Sequence, residues 1–471
     1  MWWYVQGSSG LGGCALVGGR RSRPWGTVFL ERFQHPAQIV ATGFLVTILT
    51  GTLLLSLPVA TAEPGSASLV DALFTATSAV CVTGLVVVDT GSHWTLFGDV
   101  VILGLIQVGG LGLMTLATLF AILLSRRVGL RARLAAQVET KTLRMTDVRR
   151  VVRRVVVFSL ASEAVVAAVL TSRFHIGYGE SPGRAAYLGV FHGVSAFNNA
   201  GFTMWPDSFT RFAGDPWIIL TVCAAVLLGG LGFPVVFELA RDWRRPRGWS
   251  ILTRVTVTAT VVLLTVGTLL LSAAEWNNPG TLGALPESAR LPNGFMMAVM
   301  PRSGGLNAVD IAQMRPESWL VTDVLMFIGG GSAGTAGGIK VTTFGLLGFV
   351  LWAEMRGEAH VNVGHRRLPD GTQRQAISIV LLGIAMVTAG TFALLVMTSH
   401  TLERVLFEVV SAFGTVGLSS GITAELPPGG KVLLVVLMFV GRIGPLTFAT
   451  ALALRERTRR YELPVERPIV G

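Results

Sequence analysis

Apolar runs of two lengths alternate along this chain. Runs near the 20 residues a helix needs to cross a bilayer cover residues 37–57, 97–125, 151–171, 216–240, 251–273, 318–352, 376–398 and 432–454. Between the members of each successive pair lies a shorter run, at residues 69–82, 186–199, 291–302 and 402–415. The pattern therefore reads long, short, long, four times over. A helix of about 14 residues is too short to span, and irregular backbone at membrane depth persists only where protein or water satisfies it. The short runs are expected to enter the membrane and return. The alternative is four amphipathic helices lying on the outer surface.

Each short run ends in a turn rich in glycine, threonine or asparagine. These are Val80-Cys81-Val82-Thr83-Gly84-Leu85, Phe197-Asn198-Asn199-Ala200-Gly201-Phe202, Pro301-Arg302-Ser303-Gly304-Gly305-Leu306 and Phe413-Gly414-Thr415-Val416-Gly417-Leu418-Ser419. With Gly84, Gly201, Gly305 and Gly417 as equivalent positions, the intervals are 117, 104 and 112 residues. The expected fold is an all-α polytopic membrane protein. It has four helix–pore helix–helix repeats, eight spanning helices and four re-entrant pore helices, around a pseudo-fourfold pore. The repeats are placed at 36–125, 150–240, 250–353 and 375–456, with an N-terminal extension at 1–35 and a C-terminal tail at 457–471.

Composition agrees: 51% of residues are hydrophobic and 14% charged, against about a quarter charged in soluble domains, and mean hydropathy is +0.62. The formal charge of +11 fixes orientation. Basic clusters fall at 20–32, 126–154, 241–254, 356–374 and 455–460, and an excess of Lys and Arg marks cytoplasmic segments. Every repeat starts and finishes inside, as do both termini. No basic-aromatic patch accompanies the charge, so nucleic-acid binding is not expected. The basic segments read as solvated membrane-flanking charge, with anionic lipid or a protein partner as the alternative. The three cysteines, Cys14, Cys81 and Cys223, build neither a disulfide framework nor a metal-ligand spacing. Leu11-Gly12-Gly13-Cys14 lacks the charged leader and apolar core of a lipidation signal, so the first residues read as a disordered cytoplasmic extension.

The four turns contain no Asp or Glu. A ring of acidic side chains of the kind that holds divalent ions is therefore absent, whereas backbone carbonyls can replace the water around a monovalent cation. Glycine permits backbone angles that a Cβ obstructs, and helix C-termini aim partial negative charge at the ion. The filter is assigned to Val82, Thr83, Gly84, Asn199, Ala200, Gly201, Ser303, Gly304, Gly305, Thr415, Val416 and Gly417, with K+ as the ion.

The four turns, together with Gly334-Thr335-Ala336-Gly337-Gly338-Ile339-Lys340, resemble the KtrB/TrkH family of potassium transporters. The likeness runs from about Phe33 to the C-terminus, with length and short termini closer to KtrB. In the third turn, Gly304 and Leu306 stand where the family more often has Ala and Phe. The resemblance implies a potassium-translocating subunit in a bacterial plasma membrane. It also implies a homodimer in contact with membrane lipid and a cytoplasmic KtrA/TrkA-type nucleotide-binding regulatory subunit. Potassium is the implied ion, with sodium as an activating or coupling ion left open.

A second landmark lies 24 to 28 residues beyond each filter glycine, where Gly109-Gly110, Gly229-Gly230, Gly329-Gly330 and Gly441-Arg442 occur. This alignment sets Arg442 level with Gly110, Gly230 and Gly330. An arginine at the centre of a membrane costs about 2.5 to 3.5 kcal/mol on insertion scales, so it needs a watery cavity or partners. Arg442 is expected to form part of a gate, in line with the family. The alternative is a structural pairing with a helix end or with Asp323. Residues 329–338 hold six glycines, each costing about 1 kcal/mol in a helix relative to alanine, so this segment should be unwound. It is assigned as a mobile gate: Gly329, Gly330, Gly331, Ser332, Ala333, Gly334, Thr335, Ala336, Gly337 and Gly338, with Lys340 as anchor or added charge. It is not a phosphate-binding loop, because Lys340 lies between Ile339 and Val341. For Gly109–Gly112 and Gly229–Gly232 a helix-packing face is the simpler reading.

Glu163 is either a helper for a coupling ion or a satisfied interhelical carboxylate. His192 and Glu408 sit within pore helices, and Asp71 at the start of one, where cation enrichment and helix capping both apply. No catalytic constellation emerges, so an enzyme is not expected. The competing function is an alternating-access symporter with inverted repeats; repeats that all begin and end inside argue for the pore.

Overall fold

The computed structural model describes residues 36–63, 68–127, 145–358, 360–363 and 366–444. The extension at 1–35, much of the basic cluster at 126–154, the end of the last apolar run and the tail at 457–471 lie outside the described residues. Fourteen helices are used below. They are α1 (Pro36–Leu55), α2 (Leu69–Val80), α3 (Leu96–Arg127), α4 (Met145–Tyr178), α5 (Pro182–Phe197), α6 (Pro216–Gly230) and α7 (Phe233–Asp242). After these come α8 (Ile251–Glu275), α9 (Glu287–Val299), α10 (Pro316–Phe327), α11 (Val341–Met355), α12 (Asp370–Met397), α13 (Leu402–Gly414) and α14 (Pro428–Ile443). A two-residue hairpin pairs Asn362–Val363 with Arg366–Arg367.

The chain is an all-α polytopic membrane protein. Among the described residues α4, α8 and α12 are long and apolar enough to cross a bilayer, and α6 with α7 adds a fourth span if the bent pair is counted as one. The long helices turn Leu, Val and Ile outward, as at Leu49, Leu53, Val165, Leu269 and Leu381. Lipid solvates such side chains, so apolar burial cannot by itself hold the bundle together. Inside, large rings such as Phe74, Phe191, Phe407 and Phe413 are interleaved with small and polar residues. The interior faces of α2 and α5 present Ala72, Ala76, Thr77, Ser78, Ala79, Ala185, Gly189, Ser195 and Ala196.

The four short helices are α2, α5, α9 and α13. Ser68 begins α2 by accepting from Asp71 N at 3.1 Å, and Ser181 with Pro182 begins α5, the side-chain cap and first-position proline a helix start favours. Helix α9 starts at Glu287, four residues ahead of the apolar run, and carries Pro292 in its interior, where the ring removes the helical hydrogen bond to Ser288 O.

Each short helix packs inside its own repeat and also against the second long helix of the repeat before it. Thus α5 packs on α3, α9 on α6, α13 on α10, and α2 on α14, which closes the circle. Each seam has its own fastening. Tyr187 donates to Asp99 at 2.5 Å, Asn293 donates to Ala213 O at 2.7 Å, and the rings of Trp319 and Phe407 lie 6.0 Å apart. Lys431 reaches Asp71 at 2.9 Å, both side chains mostly buried.

The glycine clusters behave in three ways. Helix α3 runs unbroken through Gly109 and Gly110, as a packing face requires. The run at 216–240, expected to be continuous, breaks at Leu231–Gly232, and α7 leaves α6 at 104°. Gly232 has φ +91°, which only glycine adopts without strain. The third run breaks as its glycine content predicts, with residues 328–340 crossing the interior as a loop between α10 and α11.

Candidate ion pathway

The four turns share one backbone pattern. Two residues before each reference glycine the backbone is left-handed: Val82 (φ 55°), Asn199 (φ 60°), Ser303 (φ 72°) and Thr415 (φ 48°). The next residue is not, and the glycine is left-handed again: Gly84 (φ 90°), Gly201 (φ 72°), Gly305 (φ 69°) and Gly417 (φ 98°). Alternating handedness turns successive carbonyls toward the same side. For β-branched Val82 and Thr415 this backbone is an outlier costing about 1–3 kcal/mol each, so the surroundings must enforce it.

Three turns are enforced in the same way. Thr83 N, Ala200 N and Val416 N donate to Ser78 O, Ser195 O and Ser411 O at 2.8, 2.7 and 2.9 Å. The hydroxyls of these serines take up neighbouring groups: Ser78 Oγ accepts from Gly84 N at 3.0 Å, Ser411 Oγ accepts from Gly417 N at 3.1 Å, and Ser195 Oγ donates to Phe202 O at 2.7 Å. The third turn, where Val299 occupies the serine position, departs from this. There Gly304 N and Gly305 N both donate to Met300 O, at 2.8 and 3.2 Å. Ser303 compensates by donating to Thr415 O of the fourth turn at 2.7 Å.

The turns meet as a ring. A Cβ on Gly84 would lie 2.5 Å from Ala200 O and 2.7 Å from Gly201 Cα. One on Gly201 would lie 3.2 Å from the Cα atoms of both Gly84 and Gly305, and one on Gly305 would lie 3.3 Å from Gly417 Cα. A Cβ on Gly417 would in turn lie 3.1 Å from Gly84 Cα and overlap Thr83 O. Any side chain at these four positions would occupy the centre. On one side of the ring a cavity of about 350 Å³ is lined by Gly84, Gly201, Gly417, Asn307, Asp89 and Asp310.

Polar side chains within α5 and α13 brace the chain beyond the ring. Glu408, fully buried, accepts from Ser420 N at 2.9 Å and Thr423 Oγ1 at 3.0 Å, and from Ser419 Oγ at 2.5 Å. His192 Nε2 accepts from Met204 N at 3.3 Å. Both side chains lie nine residues before their reference glycine, and both hold the N–H three residues after it. Glu163 is a satisfied interhelical carboxylate, accepting from Gln107 at 3.0 Å and Asn198 at 2.9 Å. Asp71 is taken by Ser68 and Lys431.

On the other side of the ring lies the second layer. First glycines of three clusters clear the end of the short helix in their own repeat: a Cβ on Gly109, Gly229 or Gly441 would overlap Val80 O, Phe197 O or Phe413 O. Arg442 is buried; its Nη2 donates to Gly109 O at 3.0 Å and its Nη1 to Thr335 O. No carboxylate among the described residues pairs with it. Neither structural pairing expected is present: Gly109 O lies midway along α3 and Thr335 O in the 328–340 loop, so no helix end is involved, and Asp323 is not a partner.

The loop lies directly against the ring. Gly337 N donates to Ser303 Oγ at 3.1 Å, and a Cβ on Gly337 would lie 3.0 Å from Thr415 Cβ. Thr335 Oγ1 lies 3.0 Å from the Asn199 amide, and Gly338 packs on Gly414. Lys340 donates to Ala336 O at 2.5 Å, which ties the end of the loop back on itself. The loop thus touches repeats two, three and four, and Arg442 bridges from it to repeat one.

A family model described as a cation transport protein, TrkH, matches residues 27–460. The chain belongs to the TrkH family. This TrkH family member is 41% identical over 427 residues to the Ktr system potassium uptake protein B of Bacillus subtilis, covering 90% of this chain and 95% of the relative. It is 39% identical over 424 residues to the protein of the same description from Vibrio alginolyticus, covering 89% and 92%. Its fold matches the crystal structure of the potassium transporter TrkH from Vibrio parahaemolyticus with a TM-score of 0.68 at 20% identity, over 88% of this chain and 85% of the other.

Several residues of this family member escaped the sequence reading. The serines Ser78, Ser195 and Ser411, each six residues before the reference glycine, become visible once the four repeats are stacked. Arg302, buried with its Nη2 on Thr260 Oγ1 at 3.1 Å, was read only as part of its turn. Asp89 and Asp310, in the cavity above the ring, carry no sequence pattern that marks them.

Proposed function

We propose that this chain is the potassium-translocating subunit of a bacterial plasma-membrane uptake system, and that the ring at Gly84, Gly201, Gly305 and Gly417 is its selectivity filter. The observation that carries the reading is the repetition, in all four turns, of one backbone with φ positive, negative and positive in succession, whose glycines interlock around a common centre. Such a ring offers carbonyl oxygens and no fixed anion, so it can replace a monovalent cation's water without trapping it. The filter residues are Val82, Thr83, Gly84, Asn199, Ala200, Gly201, Ser303, Gly304, Gly305, Thr415, Val416 and Gly417, and the potassium they hold is cargo. The four short helices aim their C-terminal ends at it.

Residues 329–338, with Lys340 and Arg442, form the gate. The loop stands across the inner face of the ring, and the Arg442 cation raises the energy of any ion passing there. Opening requires the loop to leave Ser303 and Thr335 to leave Arg442. Repeats at 36–125, 150–240, 250–353 and 375–456 act as same-direction units arranged cyclically, which favours a pore over alternating access between inverted halves. The reading extends to a homodimer in the lipid bilayer, with cytoplasmic termini and a KtrA/TrkA-type nucleotide-binding regulator that acts on the gate. Sodium is carried as the candidate activating or coupling ion.

The test is growth of a potassium-uptake-deficient bacterium at limiting potassium, rescued by the wild-type chain and by Gly417→Asp. Wild type should rescue and Gly417→Asp should not, at equal membrane abundance. Rescue by both would remove the filter assignment.

A further inference from the structure

The loop does not hang free below the ring; it is seated on the break in the second repeat. Gly331 N donates to Gly230 O at 2.8 Å and Thr335 N to Gly229 O at 3.1 Å, so the loop takes up carbonyls that α6 leaves open at its C-terminal end. In the other direction Phe233 N, at the start of α7, donates to Ala333 O at 3.3 Å. Helix α7 has no side-chain cap, Gly232 being its N-cap residue; the loop carbonyl supplies what a Ser or Asp would. Ala333 is itself left-handed, with φ 59°, which directs that carbonyl. The fit is tight from both sides. A Cβ on Gly232 would overlap Ser332 O, and a Cβ on Gly331 would overlap Leu231 O.

Helix α7 then runs away from the loop at 104° to α6. Its Phe233 and Phe237 rings pack on Phe158 of α4, each with centroids 5.7 Å apart. Near its far end Glu238 accepts from Ser250 N at 2.7 Å and Ser250 Oγ at 2.6 Å, and also from Thr253 Oγ1. This ties α7 to the start of α8 across the basic stretch of Arg241, Arg244, Arg245 and Arg247, all exposed. One short helix therefore connects the loop at its N-terminus to the basic segment at its C-terminus.

We infer that the unwound turn at Leu231–Gly232 is the seat that holds the loop closed, and that α7 is the lever through which the basic segment 241–254 moves that seat. The inference rests on the gate reading above and adds to it the element that sets the loop's position. A partner presenting an acidic surface to the arginines would pull α7, withdraw the Phe233 N–H from Ala333 O, and unseat the loop. Repeat two would then control a gate carried by repeat three.

The test uses the full chain in inverted membrane vesicles. Cys81 and Cys223 are buried and remain; Cys14→Ser removes the third thiol, and Ser332→Cys places a reporter on the loop. The rate of maleimide labelling at residue 332 and the rate of potassium flux are then measured with Gly232→Ala, with Gly331→Ala and with Glu238→Gln. Both alanine variants press on the same contact from opposite sides, so one serves if the other does not fold. Each should raise labelling about tenfold, and the double variant should add little. Glu238→Gln, remote from the loop, should raise labelling by about threefold through α7. Wild-type labelling in both alanine variants overturns the seat, and wild-type labelling in Glu238→Gln overturns the lever. Flux separates the two levels of the argument. Faster labelling with unchanged flux upholds the seat and refutes the gate. Raised flux on deletion of residues 332–335, with labelling unmoved by both alanine variants, upholds the gate and refutes the seat.

Discussion

Ser303→Ala removes one oxygen from the interior and perturbs two neighbours at once. Its hydroxyl donates to Thr415 O at 2.7 Å and accepts from Gly337 N at 3.1 Å, linking the third and fourth turns to the loop. The first loss frees the Thr415 carbonyl, part of the proposed filter, to point elsewhere. The second removes one hydrogen bond from the seated loop, worth about 1 kcal/mol net. If closed states dominate, about 1 kcal/mol raises the open fraction about fivefold. The assay is initial potassium uptake in uptake-deficient cells, normalised to membrane abundance, alongside competition by sodium. The expected result is about fivefold faster uptake at saturating potassium, together with a smaller preference for potassium over sodium. Asn199, at the equivalent position, touches the loop at Thr335 but has no hydrogen bond like that of Ser303 to the carbonyl of another turn among the described residues, so Asn199→Ala should change sodium competition less. Uptake and competition both at wild-type values in Ser303→Ala would refute the claim that this hydroxyl joins the filter to the gate.

Other substitutions probe the rest of the pathway. Arg442→Gln removes the buried cation while leaving an amide that can still donate to Gly109 O, so single-channel or vesicle flux should rise roughly tenfold with the thermal midpoint little changed; slower flux in a folded protein would argue that the arginine supports conduction. Glu408→Gln keeps the shape but replaces a carboxylate by an amide where Ser420 N and two hydroxyls all donate. Charge-assisted bonds are worth about 1.5–3 kcal/mol each, so unfolding in detergent should move down by about 3 kcal/mol, with flux falling because the outer chain loosens. Lys431→Met strands Asp71 in a mostly buried site and should cost about 2 kcal/mol, less than the 3–5 kcal/mol of a fully buried pair. Adding Asp71→Asn should recover most of that loss, and a double variant as unstable as the single one would show that the pair contributes through something other than its charge.

The alternation of long and short apolar runs made the all-α polytopic class legible, because bilayer thickness sets the length of a spanning helix independently of tertiary detail. The glycine count at 329–338 likewise announced a break, since no helix carries that many glycines at acceptable cost. Gly232, expected to belong to a helix-packing face with Gly229 and Gly230, instead ends α6, for the converse reason. A glycine inside an apolar run has the same appearance whether it lets a neighbour approach, as Gly109 does, or turns the chain at positive φ. Which of these it does depends on the loop that arrives from about a hundred residues away. The position of Arg442 level with three glycines was visible in the alignment of repeats, but its partners were not, because Gly109 O and Thr335 O belong to distant backbone that no side-chain pattern records. The pairings of Glu408 and His192 follow the repeat spacing and could have been drawn from it. Their chemical difference, a carboxylate in one repeat and an imidazole in the other, hid that they do the same job.

The circle of short helices bears on how such a protein comes to exist. The seam that closes it joins Asp71 to Lys431, 360 residues apart, and until α14 has been synthesised α2 has no neighbour on that side. A nascent chain with three repeats inserted thus holds three unfinished sectors and no closed ring. Late closure over such a long sequence separation is entropically slow, and partly built chains expose helix ends to lipid. Biogenesis of this fold is thereby under a timing constraint: the ring of four turns cannot close until α14, from the fourth repeat, has joined α2 of the first.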